Sequence, residues 1–395
     1  GLEAEITGTG TMLGIANLQG AGGYQNTLLD FGQNGAWVAR KDEVPALKVF
    51  SKSIAETIDI TNVVRPDRSW YKSEETRQEI KDVADLLGFM LMMAEGNTFA
   101  GKEVYLAPEN PDYVFEVNKV DSNTMNQWKS GSNTPENKWI STGTKFAGTF
   151  DGQMHTIRGV YLNTSAQYAG LFGQIDGSGV VKNFYLTDSL FKSTSHDIGS
   201  VAGASYGTVD TVYSNATVIA EGGYRIGGIV GHVPWHNTTA YIKNCWFDGQ
   251  MELGSSASQA GGILGYIAYD WKAAVSITNC LYTGSIEFKK TSTDWGLRIG
   301  GIVGGARDYW TPTITIENCI SAGKITQKDG STATPAVSSV YGGFDEPRAT
   351  TLNLTNVYGT NECCAEDRIY HQYKANASAT GTDPIITGTG VMLDE

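Results

Sequence analysis

The residues best placed to do chemistry in this 395-residue chain are aromatics, histidines and carboxylates gathered in three insertions. They read His232-Val233-Pro234-Trp235-His236, Tyr266-Ile267-Ala268-Tyr269-Asp270-Trp271 and Ala306-Arg307-Asp308-Tyr309-Trp310, each following a Gly-rich apolar stretch. Tryptophan and tyrosine faces pack against the apolar faces of sugars, while Asp and His exchange hydrogen bonds with hydroxyls. Arg225, Trp295 and Arg298 precede the same stretches, both arginines one residue ahead of an Ile-Gly pair. The expected ligand-binding set is therefore His232, Trp235, His236, Tyr269, Asp270, Trp271, Asp308, Tyr309, Trp310, Arg225, Trp295 and Arg298. A bland reading stands beside it, in which these aromatics only fold over the surface as packing.

Other chemistries have thinner support. Asp151, Asp248, Asp270, Asp294, Asp308 and Asp345 could supply a polysaccharide-cleaving pair, which needs carboxyls ~5–9.5 Å apart, but Asp151 belongs to a Phe-Asp-Gly turn. The sequence has no His-Glu-x-x-His and no phosphate loop. His232 and His236 have metal-like spacing, but Pro234 denies them the helix that aligns such a pair, so a solvated loop is expected. No metal and no cofactor is expected, and the expectation is that the chain is not an enzyme. Cys245, Cys280 and Cys319 share one slot of a repeat and read as a column of buried thiols, while Cys363-Cys364 reads as an ordinary loop pair.

The elements that must carry these residues come from that repeat. Ile226-Gly227-Gly228-Ile229-Val230-Gly231 recurs as Ala260-Gly261-Gly262-Ile263-Leu264-Gly265 and Ile299-Gly300-Gly301-Ile302-Val303-Gly304. Looser copies are Ala169-Gly170-Leu171-Phe172-Gly173, Ile198-Gly199-Ser200-Val201-Ala202-Gly203 and Tyr341-Gly342-Gly343-Phe344. A second block follows each: Ile242-Lys243-Asn244-Cys245, Ile277-Thr278-Asn279-Cys280 and Ile316-Glu317-Asn318-Cys319, with variants at Asn183, Thr211 and Asn356. Aligned on the second glycine slot (170, 200, 228, 262, 301, 343), the steps are 30, 28, 34, 39 and 42. Short β-branched runs broken by Gly or Asn predict strand-turn-strand, and a fixed block with variable insertions predicts a solenoid. The fold class is all-β, a right-handed parallel β-helix with one N-terminal capping helix. Its corner asparagines would pass hydrogen bonds up a ladder that Thr211 breaks.

Phe146-Ala147-Gly148-Thr149-Phe150-Asp151-Gly152-Gln153-Met154-His155-Thr156-Ile157, followed by Gly170-Leu171-Phe172-Gly173, resembles the opening of a GLUG-motif array. The Gly-Gly-Ile-Val-Gly and Ile-x-Asn-Cys copies are similar to its later repeats, and the resemblance covers about residues 76 to 360. The motif was named for segments of bacterial immunoglobulin-A-specific metallopeptidases, and similar arrays occur in large surface proteins of gut bacteria. The resemblance implies a β-helix at an extracellular, bacterial cell-surface location; the missing His-Glu-x-x-His means that it does not extend to a zinc protease domain.

Ser73 to Gly96 predicts the helix, with Ser73 as N-cap and an apolar stripe of Ile80, Val83, Leu86, Leu87, Met90 and Met93. It would cover the open end of the solenoid. Ile6-Thr7-Gly8-Thr9-Gly10-Thr11-Met12-Leu13 recurs at 386–393 with seven of eight positions matching, a shift of 386 − 6 = 380. The expected organisation is thus residues 1–72 resembling the close of a preceding module, 73–100 a capping helix and lead-in, 101–360 the β-helix, and 361–395 a tail leading toward a next module. Gly1 without a methionine points to a processed or excised piece, and no signal peptide opens the chain. A net charge of −13 argues against nucleic acid as a partner, and no apolar run approaches the ~18 residues of a membrane span. The expected function is a surface binding or adhesin module for a glycan or a host or microbial surface protein, beside neighbouring copies of itself. A passive stalk unit and a polysaccharide-cleaving enzyme are the alternatives.

Overall fold

In the computed structural model, the residues described are 21–25, 29–31, 36–40, 43–47, 63–234, 239–267, 274–289, 297–306, 313–328, 336–343, 351–360, 369–370, 385–388 and 390–393. The chain divides into two compact units, Gly1–Asp67 and Arg68–Glu395. In the first, Trp37–Arg40 and Glu43–Leu47 form an antiparallel hairpin. There the short helix α1 (Gly22–Gln25) is followed by Arg65, whose guanidinium lies 4.4 Å over the Tyr24 ring and donates to the Leu29 carbonyl at 2.6 Å.

The second unit is the parallel β-helix, right-handed as parallel crossovers are. Each full coil visits four parallel sheets in turn. The coil beginning at Ile226–Gly227 continues through Val230–Val233, then Thr239–Lys243 with Trp246–Phe247, then Gln250–Leu253. Each strand pairs with its equivalent one coil on, as Ile226 with Ala260, Val230 with Leu264, Ile242 with Ile277 and Met251 with Ile286. Inward side chains stack into columns that are almost fully buried, such as Ile229, Ile263 and Ile302 at one corner. Burying one such side chain stabilises the coil by ~1.5–3 kcal/mol, so the repeated apolar slots account for the cohesion of the stack.

The corners explain the two sequence blocks. Asn183, Asn244, Asn279, Asn318 and Asn356 all adopt left-handed backbone, with φ from +51° to +60°. Asparagine tolerates that region better than any branched residue. Asn279 Nδ2 donates to Asn244 Oδ1 at 3.0 Å and Asn356 Nδ2 to Asn318 Oδ1 at 2.9 Å, the ladder the sequence predicts. Thr211 keeps the left-handed φ, at +54°, and breaks the ladder, so Asn244 turns to Asp210 at 2.8 Å. The paired glycines serve close approach: a Cβ on Gly227 would lie 1.8 Å from the Val230 carbonyl oxygen. Cys245, Cys280 and Cys319 are free and buried, each thiol directed at the carbonyl two residues earlier at 3.2–3.4 Å.

Register corrects the last repeat. Ile299 pairs with Val337, Gly300 with Ser338 and Val303 with Tyr341, so the final step is 338 − 300 = 38. Gly342 and Gly343 occupy the slots of Gly304 and Gly305, and Ser338-Ser339 stand where the glycine pair was expected. Backbone hydrogen bonds set the register, and glycines alone do not mark it.

The end helix, α2, spans Val83–Ala94. Its N-cap is Asp82, which accepts from the Asp85 amide at 3.0 Å while Asp85 accepts from the Lys81 amide at 2.8 Å. Ser73 is not the cap, because Arg77–Ile80 alternates exposed and buried residues and forms a strand paired with Glu103–Leu106. Phe89 drives its ring into the first coil, with centroids 4.8 Å from Phe99, 5.6 Å from Phe150, 5.9 Å from Phe146 and 6.0 Å from Phe172. A further helix, α3 (Ser122–Ser130), escapes the apolar-stripe criterion. Asp121 caps it and left-handed Gly131 ends it, and it buries Trp128 against Tyr161, Leu190 and Ile219.

Candidate functional site

The residue just before the Ala169-Gly170, Ile198-Gly199 and Ile226-Gly227 pairs occupies a special position. Tyr168, Asp197 and Arg225 hold it in three successive coils, all with left-handed φ: +65°, +64° and +72°. None is Gly or Asn, and backbone of this kind costs ~1–3 kcal/mol per residue unless the surroundings enforce it. The enforcement here is a charged cluster. Arg225 Nε lies 2.8 Å from Asp197 Oδ1, and His232 Nδ1 lies 3.2 Å from the same oxygen. Arg225 Nη1 is 3.2 Å from His232 Nδ1, and Gln167 Nε2 donates to the other Asp197 oxygen at 2.6 Å. The Arg225 Nε–H does not point along the line to Oδ1, so this contact is an ion pair and not a formed hydrogen bond.

Burial sets the electrostatics. Asp197 is fully buried and His232 nearly so. Burial pushes the Asp197 carboxyl up, but His232, Arg225 and Gln167 outweigh it and hold the group below the ordinary carboxylate range. Burial holds the His232 imidazole below its usual value against the pull of Asp197, and Arg225 adds to the lowering. At neutral pH the cluster is therefore an ionised Asp-Arg pair bridged by a neutral histidine. Outside it, Arg225 lies 5.0 Å from the centroid of the exposed Tyr224 ring, which stacks on His196 at 3.8 Å. Lys145 lies 4.2 Å over Tyr206.

The structure thus brings together Arg225 and His232 from the expected set. His232 lies in a strand within this cluster, not in the solvated loop expected. Arg298 is buried in the slot equivalent to Arg225 but two coils further on, with Gln259 as its register partner between them. Trp235, His236, Tyr269, Asp270, Trp271, Trp295, Asp308, Tyr309 and Trp310 lie outside the described residues. The strands that lead to their loops are in register: Val233 pairs with Ile267, and Ile267 with Ala306. The three strands therefore end at one position on neighbouring coils. Asp197 escaped the sequence reading, although Asp-Ile-Gly fills the slot of Arg-Ile-Gly. Of the carboxylates considered for catalysis, Asp151 is buried, accepts from Asn183 at 3.0 Å and pairs with Lys182 at 3.3 Å, a structural role. Asp270, Asp294, Asp308, Asp345 and Cys363-Cys364 lie outside the described residues.

Fold and site together define a parallel β-helix with a polar and aromatic coil edge over a buried charged cluster. No family model matches the chain. A crystal structure described as that of "a putative immunoglobulin A1 protease" from Bacteroides ovatus has the same fold, with a TM-score of 0.52 over 81% of this chain and 85% of that one, at 19% identity. Among curated proteins, 87 residues are 39% identical to halomucin of Haloquadratum walsbyi, 22% of this chain and 1% of that protein. A second match, 28% identical over 127 residues, is the "Putative Gly-rich membrane protein" of Evansella cellulosilytica, covering 24% of this chain and 15% of that protein. The matched part is thus a small fraction of both relatives. The GLUG resemblance stands at the level of fold. The expectation that the chain is not an enzyme is corrected, since a protein that shares its fold across most of its length carries the name of a protease.

Proposed function

We propose that this chain is a binding module of an extracellular surface protein and that the coil edge built on Asp197, Arg225 and His232 carries its ligand. The observation that supports this most directly is the strained, buried cluster itself. It fixes Arg225 beside exposed Tyr224, whose ring stacks on half-buried His196. Rigid aromatic and cationic groups held in advance of binding lose little entropy on contact. A glycan is the leading ligand and a host or microbial surface protein the other. The surface setting draws on the names of the matched relatives and on the GLUG resemblance. No helix among the described residues is long and apolar enough to cross a membrane.

A glycan array with the full chain tests the reading. Binding that Arg225→Ala, Trp271→Ala or Trp310→Ala weakens tenfold or more supports it; an array with no binding that these changes remove counts against it. A hydrolytic reading is favoured by the named protease neighbour and by the 3.2 Å Asp197–His232 contact. It predicts fragments when immunoglobulin A1 is incubated with the chain and none with His232→Ala.

A further inference from the structure

An outward-facing column on the long sheet has no part in the coil-edge site. Tyr185 pairs with Tyr213, Tyr213 with Trp246, Trp246 with Leu281, Leu281 with Ile320 and Ile320 with Tyr358, one residue per coil. Nine large hydrophobic side chains are exposed among the described residues, and five of them fall in this column: Val114, Tyr185, Trp246, Ile320 and Val391, at 38–47% exposure. Scattered exposed hydrophobics need no explanation, but alignment in a single file does. The file is one residue wide. On one side run the corner asparagines and charged positions such as Lys182, Asp210 and Lys243.

On the other side a shallow groove of about 490 Å³ is lined by Asn215, Thr217, Asp248, Gln250, Thr283 and Ser285 among others. The rings are tied into its wall. Trp246 Nε1 donates to Thr283 Oγ1 at 2.6 Å, Thr283 Oγ1 donates to Asp248 Oδ1 at 2.6 Å, and Tyr213 Oη lies 3.4 Å from Asp248 Oδ2. Tyr213 and Trp246 meet edge to face at 4.9 Å.

We infer that this ridge and groove form a second binding surface, for a neutral, linear polysaccharide lying along the solenoid axis. A sugar chain offers what the surface complements: apolar ring faces for the aromatics and a fringe of hydroxyls for amides, hydroxyls and one carboxylate. Coils repeat every ~4.8 Å, comparable with the length of one sugar ring, so successive rings of the column can meet successive units. A strip one side chain wide does not supply the broad apolar centre of a stable protein interface, which takes ~800 Å² per partner. A strongly anionic chain is disfavoured by the net charge of −13.

Affinity electrophoresis of the full chain in gels containing xyloglucan, arabinoxylan, mixed-linkage β-glucan or galactomannan tests this. At least one should retard the protein, and Trp246→Ala should weaken the retardation tenfold or more. Tyr213→Ala should weaken it as well, and Trp246→Phe should restore part of it. Tyr241→Ala, an exposed aromatic outside the column, should leave it unchanged, which separates the ridge from exposed aromatics in general. The inference is overturned if none of the four retards the chain, or if both ridge variants run as the parent does. It is equally overturned if the parent self-associates with rising concentration and Trp246→Ala abolishes that, which would assign the ridge to a second copy.

Discussion

Thr211 is the corner residue at which local preference and global fold disagree, and replacing it with asparagine should stabilise the solenoid. It holds φ at +54° with a branched Cβ, where the neighbouring coils place Asn183 and Asn244 at +60° and +55°. Left-handed backbone costs an ordinary residue about 1–2 kcal/mol, and asparagine relieves a good part of that. Thr211→Asn would also put an amide under Asn244. A half-exposed hydrogen bond of this kind adds about 0.5 kcal/mol, the low end of the usual range. Against this, the substitution removes the Thr211 hydroxyl bond to Asp210 at 2.9 Å, worth a similar amount. The net expectation is a gain of about 1 kcal/mol, which for a unit of this size raises the melting temperature by about 2 °C.

Thr211→Gly separates the two contributions, since it relieves the backbone and adds no ladder. Paired urea titrations and amide exchange at Val212 and Tyr213 measure the effect globally and locally. If Thr211→Asn and Thr211→Gly are both less stable than the parent, the hydroxyl bond outweighs the strain and the corner argument is wrong. If glycine stabilises and asparagine does not, the ladder contributes nothing.

Phe89→Ala removes the ring that plugs the first coil and should cost about 3–5 kcal/mol; because a solenoid responds locally, exchange protection should fall first around Phe146, Phe150 and Phe172 and last around Ile277, and uniform loss across the coils would contradict the plug. Stability should decline in two stages as the pH falls. Unfolded imidazoles take up a proton below ~6.5, whereas His232 and His196 are held lower by burial, so the first decline begins there. The depressed Asp197 carboxyl stabilises the fold above the unfolded value of ~3.9, and that contribution is lost as the pH drops through its lower folded value. His232→Phe should flatten the slope between pH 6.5 and 5, and an unaltered slope would remove His232 from the account. Burial and mutual contact raise the Cys280 and Cys319 thiols well above their ordinary value, so no more than two of the five cysteines should react with a thiol reagent before denaturation; a third reacting in the native protein would show that the column is open.

Several features were legible in the residues alone because a solenoid writes its geometry locally. The alternation of apolar and small residues, the corner asparagines and the break at Thr211 depend only on what one coil places above the next. The charged cluster was half legible: Arg225 and His232 stood out by type and position, but Asp197 lies 28 residues before Arg225 and gains its meaning only when the coils stack. The same holds for the ridge, whose members are spaced by coil lengths that vary with each insertion, so no fixed period links Tyr185 to Trp246 or Ile320. Helix α2 began later than predicted because Arg77–Ile80 found a strand partner in Glu103–Leu106, a pairing no local preference could announce.

The strands that precede the three aromatic insertions end in register on neighbouring coils, which backbone pairing decided. What the chain encodes by itself is thus the coil and its corners, through short-range sterics and burial. Which side chains meet across coils is decided by hydrogen-bond register, a property of the assembled stack.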